Sequence, residues 1–91
     1  MASFVVSYDL KKPGRNYDDL YDAIKEISGN WAHVMDSTWV VTSDKENSSS
    51  IRDKLNKAMD SNDVLFVAKL TGETAWAGLS EKLSGWLKEN L

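Results

Sequence analysis

The first residue whose chemistry stands out is Asp9, which follows a run of strand-forming residues from Phe4 to Tyr8. A carboxylate at the end of a strand can help to hold Mg²⁺ or Mn²⁺ if a second carboxylate, water and phosphate oxygens complete the site. Such a metal would orient water and neutralise charge at a scissile phosphate. The alternative is that Asp9 caps the following loop or pairs with a basic residue there.

Three basic residues lie close together directly after Asp9: Lys11, Lys12 and Arg15. Lysine and arginine bind phosphate oxygens, and an arginine can do so with two parallel hydrogen bonds. Pro13 and Gly14 predict a turn within this segment. The segment is therefore a candidate phosphate-binding loop, or else a solvated loop without a ligand.

Polar residues near the middle of the chain provide further candidates. His33 is the single histidine, and with Asp36 nearby it could act as a general acid or base near neutral pH. Its alternative is a strand histidine with its polar tip at the sheet edge. Ser37 and Thr38 could hydrogen-bond a nucleotide, or only the backbone of a turn.

Two aromatic residues next to these candidates could stack on bases, namely Tyr8 and Trp39. The chain has four tryptophans in 91 residues. Aromatic side chains are more often part of a hydrophobic core, so the core is the alternative location for both residues.

The pattern of apolar residues predicts the elements that position these side chains. Residues 3–9 alternate as a strand, with Phe4, Val6 and Tyr8 on one face. Asn16 is a candidate N-cap of a helix that ends near Gly29. Residues 31–43 predict two strands with a turn near Asp36 and Ser37.

The second half of the chain repeats this alternation of helix and strand. We expect one of Ser48, Ser49 or Ser50 to cap a second helix, and residues 64–70 to form a fourth strand. After Gly72 we expect a C-terminal appendage of strand or short helix, with the helix beginning after Ser80. The predicted order, β-α-β-β-α-β, is that of an α+β protein with a ferredoxin-like antiparallel sheet.

The predicted strands are apolar on both faces, although two helices cover only one face of such a sheet. A half-exposed antiparallel strand alternates apolar and polar residues more strictly. We therefore expect a homodimer in which the second face packs on the same face of another copy, and the C-terminal segment could contribute to the cover.

Length and composition limit the kind of protein. Residues 1–91 predict one domain, and the lack of cysteine excludes disulfides. We expect no secretory signal, no membrane span and a cytoplasmic location. The net charge of −3 argues against a protein that coats duplex DNA.

Three motifs resemble a known family: VVSYDL at 5–10, HVMDSTWVV at 33–41 and NDVLFVAKLTG at 62–72. They are similar to the small CRISPR-associated adaptation protein Cas-two, the VapD-type toxin ribonucleases and the SinR family. The resemblance implies a ferredoxin-like dimer in which an aspartate from each chain, here Asp9, faces a shared cleft and can hold a divalent metal. Ser37 matches the family serine that opens strand three. His33 and Met35 differ from the arginine and glutamine that the family often has there.

These observations lead to a nucleic-acid-acting dimer as the main interpretation, with metal-dependent endoribonuclease activity if Asp9 binds Mg²⁺ or Mn²⁺. Substrates would be RNA or DNA. The first alternative is a dimer that binds and sequesters a small, cyclic nucleotide without cleaving it. The second is a scaffold that binds another protein through a sheet edge or its C-terminal segment.

Overall fold

The computed structural model describes residues 1–11 and 17–91. In chain order they form β1 (Ala2–Asp9), α1 (Asp18–Lys25), β2 (Trp31–Met35), β3 (Thr38–Ser43), α2 (Ser48–Asn56), β4 (Val64–Leu70) and α3 (Glu81–Asn90). The predicted order of strands and helices is confirmed for these residues.

The four strands form one antiparallel sheet in the order β2-β3-β1-β4. β1 is central, with Ser7 opposite both Thr38 of β3 and Phe66 of β4. The molecule is thus a small α+β protein, and its sheet is compatible with a ferredoxin-like fold.

One face of the sheet, the first face, packs against α1 and α2. Phe4 and Val6 of β1 are buried there, together with Trp39 and Val41 of β3. The two helices contribute the fully buried side chains of Leu20, Ile24, Ile51 and Leu55. Burying each such side chain stabilises the fold by about 2 kcal/mol, so this cluster forms the core.

The first turns of the two helices begin differently. α2 is capped by Asn47, whose side chain accepts a hydrogen bond from the Ser50 backbone while the Ser50 hydroxyl accepts one from the Asn47 backbone. The prediction that one of the three serines caps α2 is therefore wrong. The cap is Asn47, the residue before Ser48, because its side-chain oxygen accepts the hydrogen bond from the first turn. In α1, Asp18 and Asp19 lie in the first turn, where the helix dipole favours acidic side chains. The predicted cap, Asn16, lies outside the described residues.

The C-terminal segment, residues 71–91, crosses the other face of the sheet, the second face. Residues 71–80 form no strand, so the strand expected as one form of the appendage is wrong. The predicted short helix after Ser80 is confirmed as α3, with Ser80 as its N-cap. Leu87 of α3 is buried, as are Ala32 and Val40 on the strands beneath this segment. The second face is thus partly covered by the chain itself.

Hydrogen bonds around Asn30 attach α3 to the sheet. The Asn30 amide nitrogen donates to Thr42 Oγ1 at 2.9 Å and to Asn90 Oδ1 at 2.8 Å, and its oxygen accepts from Trp86 Nε1 at 3.1 Å. Ser3 Oγ also donates to the Asn90 carbonyl oxygen at 2.7 Å. These bonds fix the position of α3 on the second face.

In the part of the chain that the structure describes, no helix has the length and apolar character needed to cross a membrane.

Candidate functional site

Asp9 is the last residue of β1 and lies on the second face, opposite Val64 of β4. Its side chain is 65% exposed, and Oδ2 lies 2.6 Å from Lys11 Nζ. An exposed ion pair of this kind contributes little to stability because water screens it. The carboxylate is therefore accessible, and its charge is balanced by Lys11 in this chain.

Asp63 organises the chain on both sides of the predicted phosphate-binding loop. Its Oδ1 accepts hydrogen bonds from the Lys11 backbone at 2.9 Å and from the Tyr17 hydroxyl at 3.5 Å, and Oδ2 accepts one from the Asp60 backbone at 3.0 Å. This role of Asp63 was not predicted from the sequence, although an aspartate in a turn often binds nearby backbone in this way. The loop itself, with Lys12 and Arg15, lies outside the described residues.

Tyr8 and Trp39 point to the first face and belong to the core. They are 5% and 1% exposed, and Trp39 Nε1 donates to the Tyr8 hydroxyl at 2.9 Å. Burial raises the pKa of Tyr8 to about 12, so its hydroxyl is neutral at physiological pH. Neither ring presents a face to solvent. Both residues therefore lie in the core and are not available to stack on bases.

His33 also lies on the first face, because it pairs with Trp39 across β2 and β3. The two rings are stacked with centroids 4.0 Å apart, and His33 Nε2 lies 3.2 Å from the Asp36 carbonyl oxygen. Asp9 points to the opposite face of the sheet. The structure therefore does not bring His33 together with Asp9 in one chain.

Ser37 and Thr38 lie where the β2–β3 turn meets β3. Ser37 is exposed, and its carbonyl oxygen accepts a hydrogen bond from the Tyr8 backbone. Thr38 points to the second face, with its hydroxyl 3.3 Å from the Ser7 hydroxyl. These two residues are thus near the Asp9 end of β1, on the side of the molecule where Asp9 is accessible.

The part of the second face that the C-terminal segment leaves uncovered carries exposed apolar side chains. A row of residues crosses all four strands there: Phe66, Ser7, Thr38 and Met35. We call this row, together with Asp9 and Val64, the open surface. Met35, Val64 and Phe66 are among the few large apolar side chains that are well exposed, and Phe66 is 64% exposed.

The sequence analysis did not single out Val64 and Phe66. The signal was present in β4, where alternate residues from Val64 to Leu70 are apolar and must share one face. The pairing of Asp9 with Val64 identifies that face as the one that carries Asp9. On the second face, the Asp9 carboxylate therefore lies beside exposed apolar side chains.

A cavity of about 390 Å³ opens between the second face and the C-terminal segment. Its lining is mostly apolar, with Val40 and Met35 of the sheet on one side and Trp76, Ala77 and Leu79 on the other. Thr38 belongs both to this lining and to the open surface, so the two features are continuous.

Within the described part of one chain, the charged groups do not form a metal cage. Among residues 1–11 and 17–91, no three histidine or acidic side chains lie close enough together to bind a metal ion. Asp9 alone offers one carboxylate, so a site for Mg²⁺ or Mn²⁺ would need ligands from elsewhere.

Comparison with known proteins does not assign the chain to a family: no family model matches it, and no curated protein matches it. The resemblance to the Cas-two, VapD and SinR group thus stays a prediction from its short motifs.

Proposed function

We propose that the protein is a homodimer with a ferredoxin-like fold of the Cas-two type, and that it acts on nucleic acid at a site formed by two Asp9 carboxylates. The observation that carries this proposal is that Asp9 is part of the open surface, where it pairs with the exposed Val64 of β4. Covering exposed apolar surface is favourable. A second copy that covers it would bring its own Asp9 to the edge of the contact.

Two carboxylates fit Mg²⁺ or Mn²⁺ better than one, because such ions are commonly held by one or two carboxylates together with water and phosphate oxygens. When bound, the metal would neutralise charge at a phosphodiester and supply a more acidic water. Lys11, once separated from Asp9, would donate to a phosphate oxygen. The exposed Ser37 would hydrogen-bond the substrate at the same end of the sheet.

A cleavage assay tests this proposal. Single-stranded RNA and double-stranded DNA are incubated with Mg²⁺, Mn²⁺ or EDTA, using the wild type, Asp9→Asn and the control Asp53→Asn. Asp53 is also an exposed acid that pairs with a basic residue, but it lies on α2. We expect metal-dependent cleavage by the wild type and Asp53→Asn, and only background cleavage by Asp9→Asn. Equal cleavage by all three would contradict a role for Asp9.

The Asp9–Lys11 ion pair favours a second candidate function, because it balances the carboxylate without a metal. The second candidate is a dimer that binds a small nucleotide and does not cleave it. A ligand with few phosphates suits a chain with a net charge of −3. This candidate predicts no cleavage by any variant. It also predicts that heating the purified wild type releases an intact nucleotide, which mass spectrometry would detect.

A further inference from the structure

Phe66 and the cavity beneath the C-terminal segment are complementary features of one face. Phe66 is a large apolar side chain that projects from the edge strand β4. The cavity is lined by residues of all four strands, and Met35 of β2 and Thr38 of β3 are the lining residues that also belong to the open surface. An apolar cavity of about 150 Å³ is already large enough to bind benzene. The cavity here, at about 390 Å³, can therefore accept a phenylalanine ring.

The strand register relates the two features to each other. Phe66 and Thr38 both pair with Ser7, so they lie at the same level on opposite sides of β1. Neighbouring strands are about 4.8 Å apart, so Phe66 and Thr38 are at equal distances from β1. A two-fold axis along β1, in the plane between two facing sheets, would place Phe66 of each copy over Thr38 of the other.

We propose that Phe66 of a second copy of this chain fills the cavity, and that Thr38, Met35 and Ala77 form its binding site. This rests on the dimer of the proposed function and names its anchor. Two-fold interfaces require one surface to be complementary to itself. Phe66 and the cavity residue Thr38, which lie on opposite sides of β1, meet that requirement. An unrelated partner would need only the ring or only the cavity.

The C-terminal segment leaves one end of the second face open. It covers the end where Ala32 and Val40 are buried, and the cavity beneath it is lined by residues of all four strands, among them Val5 and Leu70. The other end, with Val64 and Phe66, is open. The axis along β1 places the open end of each copy against the open end of the other. It also places both Asp9 residues next to the axis, at the same end of the contact.

Sedimentation equilibrium over a range of concentrations tests the anchor with Phe66→Ala. Phe66 is exposed in the single chain, so the variant should fold like the wild type, which circular dichroism checks. A buried aromatic anchor contributes about 2 kcal/mol or more to binding, which corresponds to about a 30-fold change in Kd. We expect Phe66→Ala to raise the dimer Kd by at least about that factor. Asp53→Asn, at an exposed position of α2 beyond the first face, is the control and should leave the Kd unchanged.

Cross-linking tests the position of the ring. The chain has no cysteine, so every thiol is an introduced one. When the Phe66→Cys variant is mixed with an equal amount of Ala77→Cys and oxidised, we expect a disulfide-linked heterodimer. A mixture of Phe66→Cys with Asp53→Cys is the control, because Asp53 is exposed on α2 beyond the first face, and we expect no such product from it.

The outcomes separate this inference from the proposed function. A dimer that keeps its Kd in Phe66→Ala, and whose two thiol variants give no disulfide-linked heterodimer, would overturn the anchor and leave the dimer standing. A wild type that is monomeric at all concentrations would overturn both. Native mass spectrometry that finds a small apolar molecule bound to the wild type would overturn the anchor as well, because the cavity would then have another occupant.

Discussion

At the residue scale, the buried pair of Tyr8 and Trp39 determines which side chains are available for chemistry. The Trp39 indole donates to the Tyr8 hydroxyl, and His33 stacks on the same indole. All three side chains therefore belong to the first face and stabilise the sheet against α1. Asp9 is the next residue after Tyr8, and strand alternation places it on the opposite, accessible face.

The raised pKa of Tyr8 predicts how stability depends on alkaline pH. Its pKa is about 12 in the folded chain, compared with 10.0 in the unfolded chain. The unfolded chain therefore loses this proton first, and stability decreases as pH rises from 10 to 12. We expect a loss of about 2 kcal/mol over that range from Tyr8, measured by urea denaturation at successive pH values.

Tyr8→Phe provides the comparison for this measurement, because other tyrosines and the lysines also titrate in that range. The variant should be less stable than the wild type at pH 8, since Trp39 Nε1 loses its acceptor. Its stability should then decrease less steeply above pH 10. Identical pH dependence in the two proteins would show that Tyr8 does not contribute.

At the scale of elements, the stability of α2 depends strongly on the capping of its first turn. Residues 48–50 are all serine, and the stripe that α2 buries is short, with Ile51 and Leu55 at its centre. Serine is a moderate helix former and is better placed at a helix end. The reciprocal hydrogen bonds between Asn47 and Ser50 therefore do much to determine where α2 begins.

Removing the cap should destabilise the protein measurably. We expect Asn47→Ala to reduce the free energy of unfolding by about 1 kcal/mol, because the Ser50 backbone nitrogen loses its acceptor. Ser49→Ala, one residue earlier than Ser50 and exposed, should have little effect. Chemical denaturation of the three proteins checks this, and equal losses in both variants would contradict the role of Asn47 as the cap.

At the scale of the whole molecule, the C-terminal segment controls how much of the second face is open. It attaches to the first strand through Ser3 and Asn90 and to the loop before β2 through Asn30. Ser3 and Asn90 are 87 positions apart in the chain. The size of the open surface, and thus the space for a second copy, depends on these few polar contacts and on the burial of Leu87.

Asn30 should therefore contribute more to the stability of the fold than its position in a short loop indicates. We expect Asn30→Ala to reduce the free energy of unfolding by about 2 kcal/mol, since Trp86, Thr42 and Asn90 all lose a partner. Backbone amides of α3 should also exchange faster with deuterium than in the wild type. Asn62→Ala is the control, and unchanged exchange in α3 would contradict the proposed attachment.

The sequence was sufficient to predict the order β-α-β-β-α-β, because apolar periodicity, glycines and turn residues are local signals. It also determined that Asp9 ends β1 on the face opposite Phe4, Val6 and Tyr8, since alternation in a strand requires it. It did not show that Asn47 caps α2, because Asn47 and the serines after it are all good caps.

Which side chains share a surface depends on how the strands pair and how the segments pack. The separation of His33 from Asp9 depends on the pairing of β2 with β3, and the partial cover of the second face depends on contacts between the two ends of the chain. The register of β4 against β1 also brings three residues onto one surface, namely Asp9, Val64 and Phe66. A register is a property of two strands together, so neither strand's sequence specifies it alone.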